Sequence, residues 1–309
     1  MAFLYLLEKI RIPGLNEFML GITTLGEEMA FLVIAMILFW CVDKRRGYFV
    51  LGVGLFGSII SQFMKITCRI PRPWVQDPSF SILEQAREAA SGYSFPSGHT
   101  QSAVGTLGAI AVTEKRKWLA WVCIVAAVLV GFSRMYIGVH TPADVLVGAL
   151  ISVVLIIALY PLMVKHDRFV GYVLFALCAC SAVYLIIMKR THFPFNIDKD
   201  NLNSAMKNAY TFIGTSSGLV LAYLVDKKRD FPVQAKWWVQ ILKVVVGLLL
   251  VLAVKEGLRA PLEALFNGSL IARALRYFLI VVMAGVVWPQ SFFALSKIGR
   301  KEKQTERTE

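Results

Sequence analysis

Almost uncharged apolar stretches of roughly 17–25 residues recur along this chain, and they constrain its fold most because a helix of that length crosses a bilayer. The chain is 57% hydrophobic and 17% charged, whereas about a quarter of the residues of a soluble domain are charged. We place nine such blocks, at 26–42, 47–66, 99–113, 118–137, 142–163, 169–188, 206–225, 237–255 and 272–295. The sequence therefore predicts an all-α fold, a polytopic bundle of membrane helices.

The two ends of the chain differ from these blocks. Residues 1–25 combine apolar side chains with charged ones such as Glu8 and Arg11, a mixture that predicts a short helix lying at the membrane interface. Residues 299–309 are almost entirely polar and predict a disordered, charged tail.

The basic residues, which give the chain a formal net charge of +13, lie in short runs between the apolar blocks. Such runs set the orientation of a membrane protein and meet anionic headgroups, so we expect the lipid bilayer, and no nucleic acid, as a partner. The tail and the connections between blocks 1–2, 3–4, 5–6 and 7–8 are richer in Lys and Arg than the opposite set. This bias predicts a cytoplasmic C-terminus and places connections 67–98 and 189–205 on the extracytoplasmic side.

Three polar clusters fall on that side: Lys65 to Pro73, Tyr93 to Thr100 and Ser133 to Asp144. Arginine matches a phosphoryl group with a planar fork of donors, and lysine adds a point charge. The first turn of a helix also attracts anions through its free N–H groups and its dipole. The clusters therefore predict a phosphate site built from Lys65, Arg72, Ser97, Gly98 and Arg134.

Two histidines in these clusters supply chemistry that a phosphate site can use. His140 and Asp144 are spaced i, i+4, so the carboxylate can fix the imidazole tautomer and leave the other nitrogen free to attack. Phosphate removal also needs a proton donor for the leaving oxygen, and His99 is our candidate. No carboxylate cluster suits magnesium, and the five cysteines indicate small packing groups, so we expect no metal and no cofactor.

Each of these residues has a simpler interpretation when it is taken alone. Asp144 follows Thr141 and Pro142 as a helix-capping acid would. Lys65 and Arg72 would be ordinary cations extending from a helix end towards the headgroups. The occurrence of all three clusters, in order and on one side of the membrane, favours the catalytic interpretation.

The same residues give the chain a resemblance to a known family. It resembles the type 2 phosphatidic acid phosphatase superfamily, which also contains vanadium haloperoxidases and glucose-6-phosphatase. The family signature K-x6-RP, PSGH and SR-x5-H-x3-D is matched without substitution. The resemblance implies a metal-independent phosphatase in which His140 is the nucleophile, Asp144 orients it, and His99 is the acid. It assigns phosphate binding to Lys65, Arg72, Ser97, Gly98 and Arg134.

The resemblance also divides the chain into a six-helix phosphatase core at 26–190 and about three further transmembrane helices at 191–298. We hypothesise that Arg273 or Arg276 holds a headgroup or a second phosphate at the rim of the site, with interfacial anchoring as the alternative. The expected substrate is a membrane lipid phosphate or an undecaprenyl-type diphosphate, hydrolysed through a phosphohistidine at the extracytoplasmic face of a bacterial cytoplasmic membrane. A soluble phosphoester such as glucose 6-phosphate, and a non-catalytic lipid-binding scaffold or transporter, are the alternatives.

Overall fold

A computed structural model describes residues 1–87, 90, 92–194 and 197–298, and most of these residues are helical. The predicted charged tail, 299–309, lies outside the described residues. The helices are α1 (Ala2–Lys9), α2 (Pro13–Thr23), α3 (Glu28–Ile37), α4 (Lys44–Cys68), α5 (Pro73–Gln76), α6 (Gly98–Thr113), α7 (Lys117–Tyr136), α8 (Pro142–Tyr160), α9 (Val170–Arg190), α10 (Lys199–Arg229), α11 (Trp237–Gly257), α12 (Arg259–Leu265), α13 (Leu270–Val282), α14 (Trp288–Gln290) and α15 (Phe292–Leu295). A π-helical turn extends each of three helices, so that α3 continues to Val42, α8 to Lys165 and α13 to Val287.

All nine predicted blocks are helical, and within the part of the chain that the structure describes six helical segments are long and apolar enough to cross a membrane. These are Lys44–Gln76, Lys117–Tyr136, Pro142–Lys165, Asp167–Arg190, Trp237–Leu265 and Leu270–Leu295. A bent pair, Pro13–Gly26 with Glu28–Val42 at 55°, would add a seventh span. The other two blocks, α6 and α10, do not meet this criterion, because α6 has only 16 residues and α10 is too polar.

Residues 1–25 form two helices and not the single interfacial helix that the sequence predicts. Pro13 begins α2, because its preset φ suits the first position of a helix and its missing N–H is not needed there. Arg11, between the two helices, donates from Nε to the carbonyl oxygen of Tyr136 at 2.9 Å. The α1–α2 pair is therefore packed onto the end of α7.

The long helix α4 lies at the centre of the bundle and packs against α3, α6, α8, α9 and α10. Helix α10 contacts α9 and α13 as well, so it joins the first helices to the last ones. Small residues let the helices approach closely. A Cβ added to Gly148 of α8 would lie 2.6 Å from the carbonyl oxygen of Ser97, and one added to Gly214 of α10 would lie 2.1 Å from that of Ala274.

Four helix ends meet at one end of the bundle: the last turns of α4 and α7 and the first turns of α6 and α8. Backbone hydrogen bonds join the connecting segments there. Ser97 N–H donates to the Asp144 carbonyl at 2.9 Å, and Ser94 N–H donates to the Ile70 carbonyl at 2.8 Å. The three polar clusters of the sequence are thereby brought together.

Candidate active site

His140 lies in the turn between α7 and α8, and only 1% of its surface is exposed. Its Nδ1 is 3.4 Å from Oδ2 of Asp144. The same carboxylate oxygen accepts from Thr141 N–H at 2.8 Å, while Thr141 Oγ1 accepts from Asp144 N–H at 3.3 Å. These reciprocal bonds form a capping box at the start of α8. Asp144 therefore caps the helix and faces the imidazole at the same time.

The other imidazole nitrogen of His140 contacts a cation. Nη1 of Arg72 lies 2.8 Å from Nε2 of His140, and it also donates to the Val139 carbonyl at 3.0 Å. A guanidinium group has no acceptor, so Nε2 must be the unprotonated nitrogen in this contact. The imidazole proton then lies on Nδ1, which faces Asp144. This tautomer leaves Nε2 as the nitrogen that can attack phosphorus.

Two further cations complete the cluster. Lys65 Nζ donates to the Tyr93 carbonyl at 2.6 Å. Arg134 is 1% exposed and donates from Nη1 to Thr23 Oγ1 at 2.7 Å, but its Nε and Nη2 are buried and have no hydrogen-bond partner among the described residues. Unpaired buried donors cost free energy, and phosphoryl oxygens would satisfy them.

The first turn of α6 presents the PSGH segment to this cluster. Ser97 is the N-cap, and its Oγ accepts from Thr100 N–H at 3.4 Å and from the Thr100 hydroxyl at 2.9 Å. Gly98 is the first residue of the helix, and a Cβ added there would meet no atom within 4 Å. The helix N-terminus therefore opens onto free space, as anion binding requires.

His99 follows Gly98 in the first turn of α6 and is half-buried. A Cβ added to Gly26 would lie 2.7 Å from the His99 carbonyl oxygen and 3.0 Å from its Cβ. The chain just before α3 thus packs directly on His99 and fixes its backbone. No hydrogen bond from the imidazole is present among the described residues.

Electrostatics favour a neutral His140. Burial lowers the pKa of its imidazole well below the ordinary value of 6.5, and the charges of Arg72, Arg134, Lys65 and His99 act in the same direction. Because these four groups act on His140 through their charge, the two candidate catalytic histidines and the three candidate phosphate-binding cations lie in one cluster. A neutral imidazole can act as a nucleophile, whereas an imidazolium cannot.

Two residues near this cluster were not predicted. Ser94, fully buried, donates to Asp144 Oδ2 at 2.6 Å and lies 3.4 Å from His140 Nδ1. Its position two residues before Pro96 is the only signal in the sequence. Thr23, the partner of Arg134, lies 111 residues away from it along the chain, and no motif or spacing connects them.

The rim candidates are held by other contacts. Arg273 donates from Nε to Thr211 Oγ1 at 2.7 Å and to the Lys207 carbonyl at 3.1 Å, and its guanidinium lies 5.3 Å from the ring centre of Tyr277. Arg276 is buried and lies 5.7 Å from the same ring, with Nε unpartnered among the described residues. The contacts of Arg273 place it at the α10–α13 interface, whereas the ring contact of Arg276 lies within α13. The headgroup role of both residues stays a hypothesis.

Two family models match the chain. Residues 46–168 match the PAP2 superfamily, and residues 210–301 match the PAP2 superfamily phosphatase, transmembrane extension. The first match contains every catalytic and phosphate-binding residue that the sequence predicts, from Lys65 to Asp144. The second match covers most of α10 and the helices after it.

Curated proteins of several organisms are similar to the chain. The Bacillus subtilis undecaprenyl-diphosphatase BcrC is 30% identical over 41% of this chain and 63% of its own length, just under two thirds. Phosphatidylglycerophosphatase B of Bacillus subtilis is 31% identical over 52% of this chain and 81% of its own length. Sphingosine-1-phosphate phosphatase 1 of Rattus norvegicus is 25% identical over 76% of this chain and 57% of its own length.

One solved structure is also similar. It is the crystal structure of a transmembrane PAP2-type phosphatidylglycerolphosphate phosphatase from Bacillus subtilis, 30% identical in sequence. The match covers 54% of this chain and 86% of that one, with a TM-score of 0.45.

Proposed function

Because this chain belongs to the PAP2 superfamily of phosphatases and is an integral membrane protein, we propose that it removes phosphate from a lipid phosphate or polyprenyl diphosphate through a phosphohistidine on His140. The proposal rests on the two imidazole nitrogens of His140, one of which faces an acid and the other a cation. Nδ1 faces Asp144 at 3.4 Å, whereas Nε2 faces the phosphate-binding candidate Arg72 at 2.8 Å.

The reaction has two steps. In the first, Nε2 of His140 attacks phosphorus, the bond from phosphorus to the leaving oxygen breaks, and His99 gives that oxygen a proton. In the second, water attacks the phosphohistidine, His99 takes the proton of the water, and inorganic phosphate leaves as the Nε2–phosphorus bond breaks. Lys65, Arg72, Arg134 and the first turn of α6 stabilise the charge on the phosphoryl oxygens.

The names of the relatives and the surroundings of the site support a lipid as the substrate. The relatives are named for undecaprenyl diphosphate, phosphatidylglycerophosphate and sphingosine 1-phosphate, which are all amphiphiles. The site lies at the ends of membrane helices, where a lipid headgroup meets water.

The test is phosphate release by the purified protein in detergent containing EDTA. The panel contains phosphatidic acid, phosphatidylglycerol phosphate, undecaprenyl diphosphate and glucose 6-phosphate. We expect release from a lipid that survives EDTA, disappears in His140→Ala and persists in His192→Ala, an exposed control. A labelled phosphate trapped on the protein should be stable in alkali and lost in acid, as a phosphoramidate is. Full activity in His140→Ala would refute the mechanism.

We also propose that the site faces the extracytoplasmic side of a bacterial cytoplasmic membrane and that the C-terminus is cytoplasmic, a proposal supported by the distribution of basic residues. Cys68 is exposed at the site end of α4 and can report the orientation. A membrane-impermeant maleimide should label intact cells or spheroplasts at Cys68 and not label Cys68→Ser. Labelling that appears only after the cells are opened would reverse the assigned orientation.

A further inference from the structure

A polar cleft lies between α4 and α10, next to the candidate active site. It has a volume of about 90 Å³, and its polar side chains are those of Gln62, Lys65, Asn201, Ser204 and Asn208. The α10 residues are spaced i, i+3, i+7, and the α4 residues are spaced i, i+3, so each helix presents one polar face to the cleft. Lys65 lines the cleft and is also part of the phosphate cluster, which is formed by the cations Lys65, Arg72 and Arg134.

The loop before α6 forms another wall of the cleft. Gly92 and Tyr93 line it, and their carbonyl oxygens accept from Arg72 Nε at 3.0 Å and Lys65 Nζ at 2.6 Å. Gly92 has a φ of +80°, a left-handed conformation that glycine adopts without strain, and a Cβ added there would lie 3.6 Å from Asn201 Oδ1. Gly92 and Tyr93 thus separate the cleft from the phosphate cluster, and their carbonyl oxygens hold two of its three cations.

Helix packing does not account for these polar side chains. Polar groups between membrane helices normally hydrogen-bond to one another. The side chains of Gln62, Asn201, Ser204 and Asn208 make no hydrogen bond to any described residue. Their donors and acceptors are therefore free to bind a ligand, and amides and hydroxyls suit a ligand that both donates and accepts.

The charge of the cleft narrows the class of ligand. Lys65 is the only cation that lines it among the described residues, and Lys65 already donates to the Tyr93 carbonyl beside the phosphate cluster. A second phosphate offers acceptors only and is usually met by arginine or by several lysines. Hydroxyl and amino groups match the amides better.

We propose that this polar cleft binds the hydroxyl or amino groups carried by the carbon atoms next to the scissile phosphate of a lipid phosphate. The proposal rests on the lipid phosphatase function given above and extends it to the choice of substrate. The cleft selects lipid phosphates whose backbone bears such groups over plain alkyl phosphates of the same chain.

A matched pair of lipids tests this selection. Dihydrosphingosine 1-phosphate and octadecyl phosphate have the same saturated chain and differ in the amino and hydroxyl groups beside the phosphate. We expect the wild type to have a kcat/KM about tenfold higher for dihydrosphingosine 1-phosphate, the worth of one or two neutral hydrogen bonds. The double variant Asn201→Ala/Asn208→Ala should bring the ratio close to one. Asn203→Ala, an exposed asparagine on another face of α10, should leave it unchanged.

Binding of both lipids to His140→Ala provides a second measurement that needs no turnover. In this background, Asn201→Ala/Asn208→Ala should weaken the binding of dihydrosphingosine 1-phosphate and leave that of octadecyl phosphate unchanged. This result would support ligand binding by the cleft even if the wild type hydrolyses neither lipid. That failure to hydrolyse would count against the proposed function. Equal losses for both lipids, a wild type without preference, or a loss confined to a diphosphate substrate would overturn the inference.

Discussion

Nη1 of Arg72 lies 2.8 Å from Nε2 of His140, so a candidate phosphate-binding cation covers the nitrogen that we propose attacks phosphorus. Nε2 cannot attack while it accepts this hydrogen bond. An arriving phosphate offers Arg72 stronger, charged acceptors than an imidazole does. Substrate binding should therefore move the Arg72 donor from His140 to a phosphoryl oxygen, and this step uncovers the nucleophile.

Replacing Arg72 by lysine tests whether catalysis needs a guanidinium group that can donate two parallel hydrogen bonds to the phosphoryl group. Lysine keeps the charge but cannot bind a phosphoryl group through two parallel hydrogen bonds. We expect kcat/KM to fall about 100-fold, the usual effect of losing one transition-state donor. Arg69→Lys, an exposed neighbour, is the control and should keep the wild-type value in a detergent-micelle assay. A fall of less than threefold in Arg72→Lys would count against a bidentate role.

Replacing Asp144 by asparagine separates the two roles of this residue. Asparagine can still cap α8, but it cannot provide the negative charge that orients and stabilises the imidazole. We expect kcat to fall about 1,000-fold, with little change in the thermal unfolding midpoint. A variant that unfolds much earlier than the wild type would instead indicate that capping is the main role of Asp144.

Thr23 is a positioning residue for Arg134, and Thr23→Val removes its hydroxyl while keeping the shape. Nη1 of Arg134 would lose its partner at 2.7 Å and become the third guanidinium nitrogen without a partner among the described residues. We expect KM to rise about tenfold with a smaller change in kcat, because a less firmly held Arg134 weakens the binding of the substrate phosphate. Thr23→Ser restores the hydroxyl and should restore KM. Equal values of KM in Thr23→Val and Thr23→Ser would contradict the assignment.

The buried, neutral state of His140 predicts a pH-dependent stability. Its pKa in the folded protein is lowered, so the unfolded chain binds a proton first as the pH falls below about 6.5. The stability contributed by His140 is complete above that pH and is lost progressively between it and the lowered pKa. Unfolding midpoints in detergent at pH 7.5 and 5.5 should differ less in His140→Gln than in the wild type. His192→Gln, an exposed control, should keep the wild-type difference.

The sequence was sufficient to predict the helical segments and the convergence of the motif residues. Apolar blocks of bilayer length leave few alternatives to helices, and Lys65, His99 and His140 stand next to block ends on one predicted side. The sequence also predicts that α6 and α10 cross the membrane, but neither is among the helices that are long and apolar enough to do so. Helix α6 is short, and α10 places its polar face against α4, an arrangement that depends on tertiary packing.

Contacts between distant segments could not be predicted from one sequence. Thr23 belongs to a segment that looks like an interfacial anchor, and its bond to Arg134 exists only because α2 packs on α7. Arg273 looked like a rim residue because it is a cation at a helix end. In the structure its guanidinium is held by Thr211 and the Lys207 carbonyl of α10, which spacing along the chain does not reveal.

The dispersal of the site over the chain has a consequence for biogenesis. Its groups come from five helices: Thr23 of α2, Lys65 of α4, His99 of α6, Arg134 of α7 and Asp144 of α8. They meet only where these helices pack together. A nascent chain emerging from the ribosome therefore lacks the complete site until α8 has been synthesised and inserted. Activity at the candidate site therefore requires that all five elements have been inserted and packed together.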